Sequence, residues 1–248
     1  MNNVRASIEL APERVKRLLS EGAMEVKDLI PWSSNATLLV TVHDADYSTL
    51  AIYKPQRGER PLWDFPYGTL GRREVAAYLV ADTLGWRLVP PTVLRQGPHG
   101  QGSVQLFIQA QDDANYFTIQ HDARYRDDLQ RLAAFDLITN NADRKAGHCL
   151  VDLEGHLWAI DNALSFHVEP KLRTVIWDYA GMMLPPHIMA DLRGLRDVLH
   201  EDAALCQALE RLLSAEEVNL LRQRLAGLIQ ARRYPDPGPW RSVPWPLI

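Results

Sequence analysis

Apolar positions recur at helical spacing from Pro12 to Glu21, where Val15, Leu18 and Leu19 share a face. Pro12 suits a first helical turn and Gly22 a stop. The pattern then changes to alternation. Met24 to Ile30 reads as a half-buried strand, Pro31 to Asn35 as a turn, Thr37 to Val42 as a β-branched strand, Asp44-Ala45-Asp46 as a turn, and Ser48 to Lys54 as a third strand. Together these predict a three-stranded antiparallel meander. A loop with Gly58, Pro61 and Pro66 leads into a helix over Thr69 to Leu84, with Val75, Ala76, Leu79, Val80 and Leu84 on one side and Gly85 at its end. Thr92 to Leu94 and Val104 to Ile108 add short strands around a Gly-rich turn.

The second half reads differently. Arg126 to Asn140 is helical, Asn140 to Gly147 a polar loop, and His148 to Val151 and Leu157 to Ile160 short strands about Glu154-Gly155. Further helices are expected near Asp191 to Leu199, Ala203 to Leu213 and Ala215 to Arg232; Ser214 and Glu217 form a capping box for the last. Tyr234 to Ile248 holds closely spaced prolines and reads as an extended surface strap. The expected fold is α+β and two-lobed: a five-stranded antiparallel lobe with one inserted helix over residues 1–109, and a mainly helical lobe over residues 110–248.

Composition narrows the function. The 248 residues are 46% hydrophobic and carry a net charge of −4, so a core can form and no basic face for nucleic acid stands out. Two distant cysteines, Cys149 and Cys206, suggest a reducing, cytoplasmic setting. No apolar run is long enough for a membrane span, and no signal peptide is recognisable. Trp63, Trp86, Trp158, Trp177, Trp240 and Trp245 read as core and strap packing.

The chemistry concentrates in two segments. Phe135 to His148 delivers Asp143 in a polar loop after a helix, and five residues later His148 opens a strand. Trp158 to Phe166 ends an apolar strand at Asp161, eighteen residues after Asp143. Two carboxylates at the ends of neighbouring elements can converge, as phosphoryl transfer requires: one orients the attacking group, the other holds a divalent ion. Upstream, Lys54 ends the third strand and Glu74 lies in the following helix, a pairing that can neutralise nucleotide phosphates. A strand-ending lysine or a helical glutamate is solvated by default; the shared context singles these out. Asp136 is expected to anchor the loop backbone. Arg144 can serve Asp161 or a phosphate, and Asn162 can bind a ligand or its own backbone.

The order of these pieces resembles the protein-kinase-like superfamily. Asn140-Asn141-Ala142-Asp143-Arg144 and Ala159-Ile160-Asp161-Asn162-Ala163-Leu164-Ser165-Phe166 resemble type II phosphatidylinositol 4-kinases, and the layout is shared with bacterial HipA-like kinases. The length fits bacterial phosphatidylinositol 3-/4-kinase-like proteins. The resemblance implies Asp143 as catalytic aspartate, with Arg144 beside it. It also implies Asp161 as metal-binding aspartate, Lys54 on the α/β phosphates and Glu74 as the partner of Lys54. It implies a hinge over Gln105, Phe107, Ile108 and Gln109 for adenine, and Trp32 to Ala36, with Ser33, Ser34 and Asn35, in place of a glycine-rich loop. His148 stands where asparagine is usual; it can support manganese, weaken one metal site or be structural, since magnesium prefers oxygen.

The first functional expectation is an ATP-dependent phosphotransferase with Mg²⁺ or Mn²⁺ and an acceptor still open among protein serine, small molecule and inositol lipid. The lack of an extended basic surface weighs against the lipid. Adenylyl transfer is a variant of this expectation. The second is a pseudokinase that binds nucleotide or a partner, supported by His148 and the glycine-free loop.

Overall fold

The computed structural model describes residues 11–30, 36–200, 203–239 and 241–248. The expected phosphate-loop residues Ser33, Ser34 and Asn35, with Trp32 and Trp240, lie outside the described residues. Helix α1 (Pro12–Glu21) precedes a sheet of β1 (Ala23–Leu29), β2 (Leu38–His43), β3 (Ser48–Pro55), β4 (Thr92–Gly97) and β5 (Gly100–Leu106) in the order β1-β2-β3-β5-β4, with every pairing antiparallel. Helix α2 (Leu70–Thr83) is inserted between β3 and β4. The β4–β5 hairpin is longer than its apolar core suggested, because Arg95 to Gly97 pair with Gly100 to Gly102.

The second half contains α3 (Tyr116–Ile119), α4 (Arg126–Thr139), the hairpin β6 (Cys149–Val151) and β7 (Leu157–Ala159), then α5 (Pro186–Val198), α6 (Ala204–Glu210) and α7 (Ala215–Ala231). Helix α3 was not expected. Its four residues carry no readable period, and a capping box of Asn115 and Thr118 holds them. Helix α5 begins earlier than its periodicity indicated, with Pro186 in the first turn. The Ser214–Glu217 capping box on α7 is formed as expected.

The expected one-sided α2 proves buried nearly all round, including Arg73 and Glu74. Its Ala76, Ala77, Val80 and Ala81 belong to the main core with α4, α5 and α7, while α1 and the sheet enclose a second core that Trp158 of β7 joins. The strap is extended. Ser242 accepts from Thr174 N–H (3.0 Å) and Trp177 Nε1 (3.0 Å), and Leu247 accepts from Ala146 N–H (2.8 Å). The tryptophans divide: Trp86 and Trp158 are buried, but Trp63 (91% exposed) and Trp245 (75%) are not core residues. Trp63 instead covers the Lys171 ammonium, 4.6 Å from its ring centre. Among the described residues no helix is long and apolar enough to cross a membrane.

Candidate active site

Strand β3 alternates buried and half-buried residues, which puts Leu50, Ile52 and Lys54 on one face. Opposite Lys54, β5 comes so close that a Cβ on Gly102 would lie 2.4 Å from the Lys54 carbonyl oxygen, so this approach requires glycine. Lys54 Nζ donates to Glu74 Oε1 at 2.7 Å and to Asp161 Oδ1 at 3.0 Å. The other Glu74 oxygen accepts the Asn162 N–H at 3.0 Å. Burial works against the Lys54 ammonium, but the carboxylates of Asp161 and Glu74 outweigh it and raise its pKa. In return the Lys54 charge holds Asp161 well below the usual carboxylate range. Asp161 adopts a left-handed backbone (φ +56°), uncommon for a residue other than glycine and typical of functional sites.

Helix α4 stops at Asn140, left-handed at φ +55°. Its amide donates to the carbonyls of His167 (2.9 Å) and Glu169 (2.7 Å) and accepts from Lys171 N–H (2.9 Å). Asn141 Oδ1 then accepts the Asp143 N–H at 2.9 Å, and Ala142 N–H bonds Leu164 O at 2.8 Å, tying the Asp143 loop to the Asp161 loop. Burial raises the pKa of Asp143, Lys145 opposes this, and the Asp161 charge adds to the rise.

Arg144 is fully buried, so no phosphate reaches it. It chelates Asp136 (NH2 to Oδ1, 3.0 Å; Nε to both oxygens, 3.2 Å) and donates to Ile160 O (2.8 Å) and Asn162 Oδ1 (2.5 Å). Of its two expected uses, the phosphate contact is closed off by burial, while its charge does act on Asp161 and helps lower that carboxyl's pKa. Asp136 anchors the loop through this guanidinium and Thr174 Oγ1 (3.1 Å). Asn162 turns inward to Arg144 and to Ala159 O (3.1 Å). His148 Nε2 lies 3.4 Å from Asp161 Oδ2, and its Nδ1 accepts from Lys145 N–H at 3.4 Å. Burial lowers its pKa to about 4, so the ring is neutral at neutral pH. With Nδ1 accepting, the proton sits on Nε2 and points at Asp161.

Gln105 lies inside β5 between Ile52 and Thr92, so the ladder takes up its main chain; its amide donates to Thr92 Oγ1 at 2.8 Å. Of the expected hinge residues, Gln105 is thus part of the sheet, while Phe107, Ile108 and Gln109 follow its end, with Phe107 N–H bonded to Leu50 O (3.1 Å). Sequence reasoning missed Lys145, whose Nζ is 3.4 Å from Asp143 Oδ2. Leu39 and Ile52 form a register pair on the Lys54 face, and Leu150 is half-buried against the sheet core; sequence reasoning singled out none of the three. The alternation of β3 was signal enough for Ile52.

No known family model matches this sequence. The fold is similar to the Golgi casein kinase structure with Mn/ADP bound (TM-score 0.59, 15% identity, 88% of this chain and 74% of that one). It is also similar to hydra Fam20 with sugar (0.52, 15%, 93% and 91%) and to the Helicobacter pylori proinflammatory kinase CtkA (0.53, 10%, 87% and 94%). These likenesses establish a protein-kinase-like fold. In sequence, the chain is 38% identical over 264 residues to Protein Rv2133c of Mycobacterium tuberculosis, spanning 93% of this chain and 94% of that protein. On this extent of identity, the chain belongs to the family of Protein Rv2133c.

Proposed function

We propose that this chain is an ATP-dependent phosphotransferase that moves the γ-phosphoryl group of ATP to an acceptor hydroxyl in the cleft between lobes 1–109 and 110–248. One observation carries the reading: a single ammonium, Lys54 Nζ, holds both Glu74 and Asp161, from elements distant in sequence. Leu39 and Ile52 on the Lys54 face of the sheet, with Leu150 and the Phe107–Gln109 segment, would hold the adenine. Lys54 carries the α/β phosphates and Glu74 fixes it. Asp143 accepts the proton of the acceptor hydroxyl as its oxygen bonds the γ-phosphorus and the bond to ADP breaks; Lys145 offsets the charge beside it. The motifs around Asp143 and Asp161 support a place near the phosphatidylinositol 3-/4-kinase-like group.

A divalent ion fits Asp161, whose carboxylate stays ionised and whose side chain is 45% exposed. Among the described residues no three His, Cys, Asp or Glu side chains gather for a metal, so Asp161 would hold Mg²⁺ or Mn²⁺ together with oxygens of phosphate and water. When bound, the ion neutralises phosphate charge. His148, with its proton toward Asp161, orients that carboxylate rather than ligating the metal.

The same contact favours a second reading. With Lys54 and His148 on its two oxygens, Asp161 can serve a nucleotide-binding module that transfers nothing. The test is calorimetric titration with ATP and Mg²⁺ or Mn²⁺, followed by phosphate transfer to water and a hydroxyl panel. Asp143→Asn is expected to keep nucleotide binding and lose about 10²- to 10⁴-fold in transfer. Binding without transfer by the native protein supports the module; no nucleotide binding ends both readings.

A further inference from the structure

The segment from Asp161 to Phe166 begins and ends with left-handed residues that are not glycine, at φ +56° and +66°. Such backbone persists only where its surroundings force it. The end of α4 and the loop after it supply part of that force, through the Phe166 N–H to Thr139 O (2.6 Å) and the Ala142 N–H to Leu164 O (2.8 Å), and consecutive residues of α2 supply the rest. Glu74 accepts the Asn162 N–H at the start of the segment, and Arg73 NH1 donates to Ser165 O at 2.6 Å near its end. The hydroxyl of Ser165 is buried without a partner, so the Arg73 contact is the polar tie that fixes this residue's position.

Arg73, although charged, is only 1% exposed. Its NH2 pairs with Glu217 on α7, and its Nε donates to Thr69 Oγ1 at 3.3 Å. The guanidinium also lies 4.9 Å from the ring centre of Phe65. Phe65 packs with Ala142 and Ala163, the neighbours of Asp143 and Asn162 in the chain. Glu217 is held in turn by Ser214 N–H (2.8 Å) through the capping box of α7.

We infer that Arg73 is the positioning residue of this site. It brackets the metal-binding segment together with Glu74 and locks α2 to α7, and so holds Lys54, Glu74 and Asp161 together. The inference rests on the kinase reading for its consequences in turnover, but not for its geometry.

The variants are Arg73→Met, Arg73→Lys and Glu217→Gln in the full chain. With ADP present, Arg73→Met is expected to bind Mn²⁺ about ten- to hundredfold more weakly by electron paramagnetic resonance, with a comparable fall in kcat. Metal-free ADP affinity stays within about twofold, because the adenine walls are untouched. Arg73→Lys recovers part of the loss, and Glu217→Gln shows a smaller loss of the same kind. Native Mn²⁺ affinity in Arg73→Met, or ADP affinity falling in step with it, overturns the inference. If Arg73→Met does not fold, unchanged Mn²⁺ affinity in Glu217→Gln overturns it.

Hydrogen exchange keeps this test separate from that of the kinase reading. Amides of 162–166 are expected to exchange faster in Arg73→Met, or in Glu217→Gln if the former does not fold, while those of β6 and β7 do not. Equal change in both regions sinks the positioning role, whatever the native protein does with nucleotide.

Discussion

At position 54 one ammonium separates two carboxylates that would otherwise repel, and Glu74 is almost fully buried. Removing a buried partner is costly, though the exposure of Asp161 moderates it. Lys54→Met is therefore expected to lose about 2 kcal/mol, a fall of about 4–8 °C in Tm by calorimetry. An unchanged Tm would mean that the triad adds nothing to folding. Asp143 gives a pH prediction. Burial raises its pKa, and the base must be ionised to accept a proton. The acid limb of kcat/KM is thus expected above the ordinary aspartate value of about 3.9, with activity lost as pH falls through it. A limb below that value refutes Asp143 as the base. At this scale the sequence was legible where chemistry has a spacing. Lys54, Asp143 and Asp161 stand out by position at the ends of elements. Arg144 was marked by its motif, but its burial, like that of Arg73, was not legible, because a charged residue is taken as solvated until tertiary partners are known, and theirs come from distant segments.

The strands and long helices were readable because each buries one face and shows its period. Helix α2 misled for the opposite reason. Packed on both flanks, it has no polar face to define a stripe, and its small residues look neutral to periodicity. The strap was legible in its prolines but its docking was not, since Leu247 meets Ala146 across a hundred residues of chain. Three hydrogen bonds hold the strap residues Ser242 and Leu247 to Ala146, Thr174 and Trp177. Removing residues 242–248 is expected to speed amide exchange at Ala146 and Thr174 by about fivefold, since each opened bond is worth about 1 kcal/mol. Unaltered protection there would show that the Asp143 loop stands without the strap.

Across the whole molecule the two lobes share their interiors. Helix α2 and Trp86 from the first half fill the core of the second, and Trp158 from the second half fills the core of the sheet. A division at residue 109, the natural reading of the strand-to-helix change, crosses both cores. Thermal unfolding is therefore expected as one cooperative transition, and residues 110–248 expressed alone are expected to lack one. A cooperative melt of that fragment would contradict the shared packing.

The left-handed turn at Asp161 also bears on descent. Aspartate tolerates that backbone only somewhat, whereas asparagine and glycine accept it readily and β-branched residues scarcely at all. If Asp161 holds a metal as proposed, a lineage that abandoned that role while retaining the fold would drift at this position toward Asn or Gly, not toward Val or Ile. Loss of activity would then leave a recognisable scar in the sequences of such cousins.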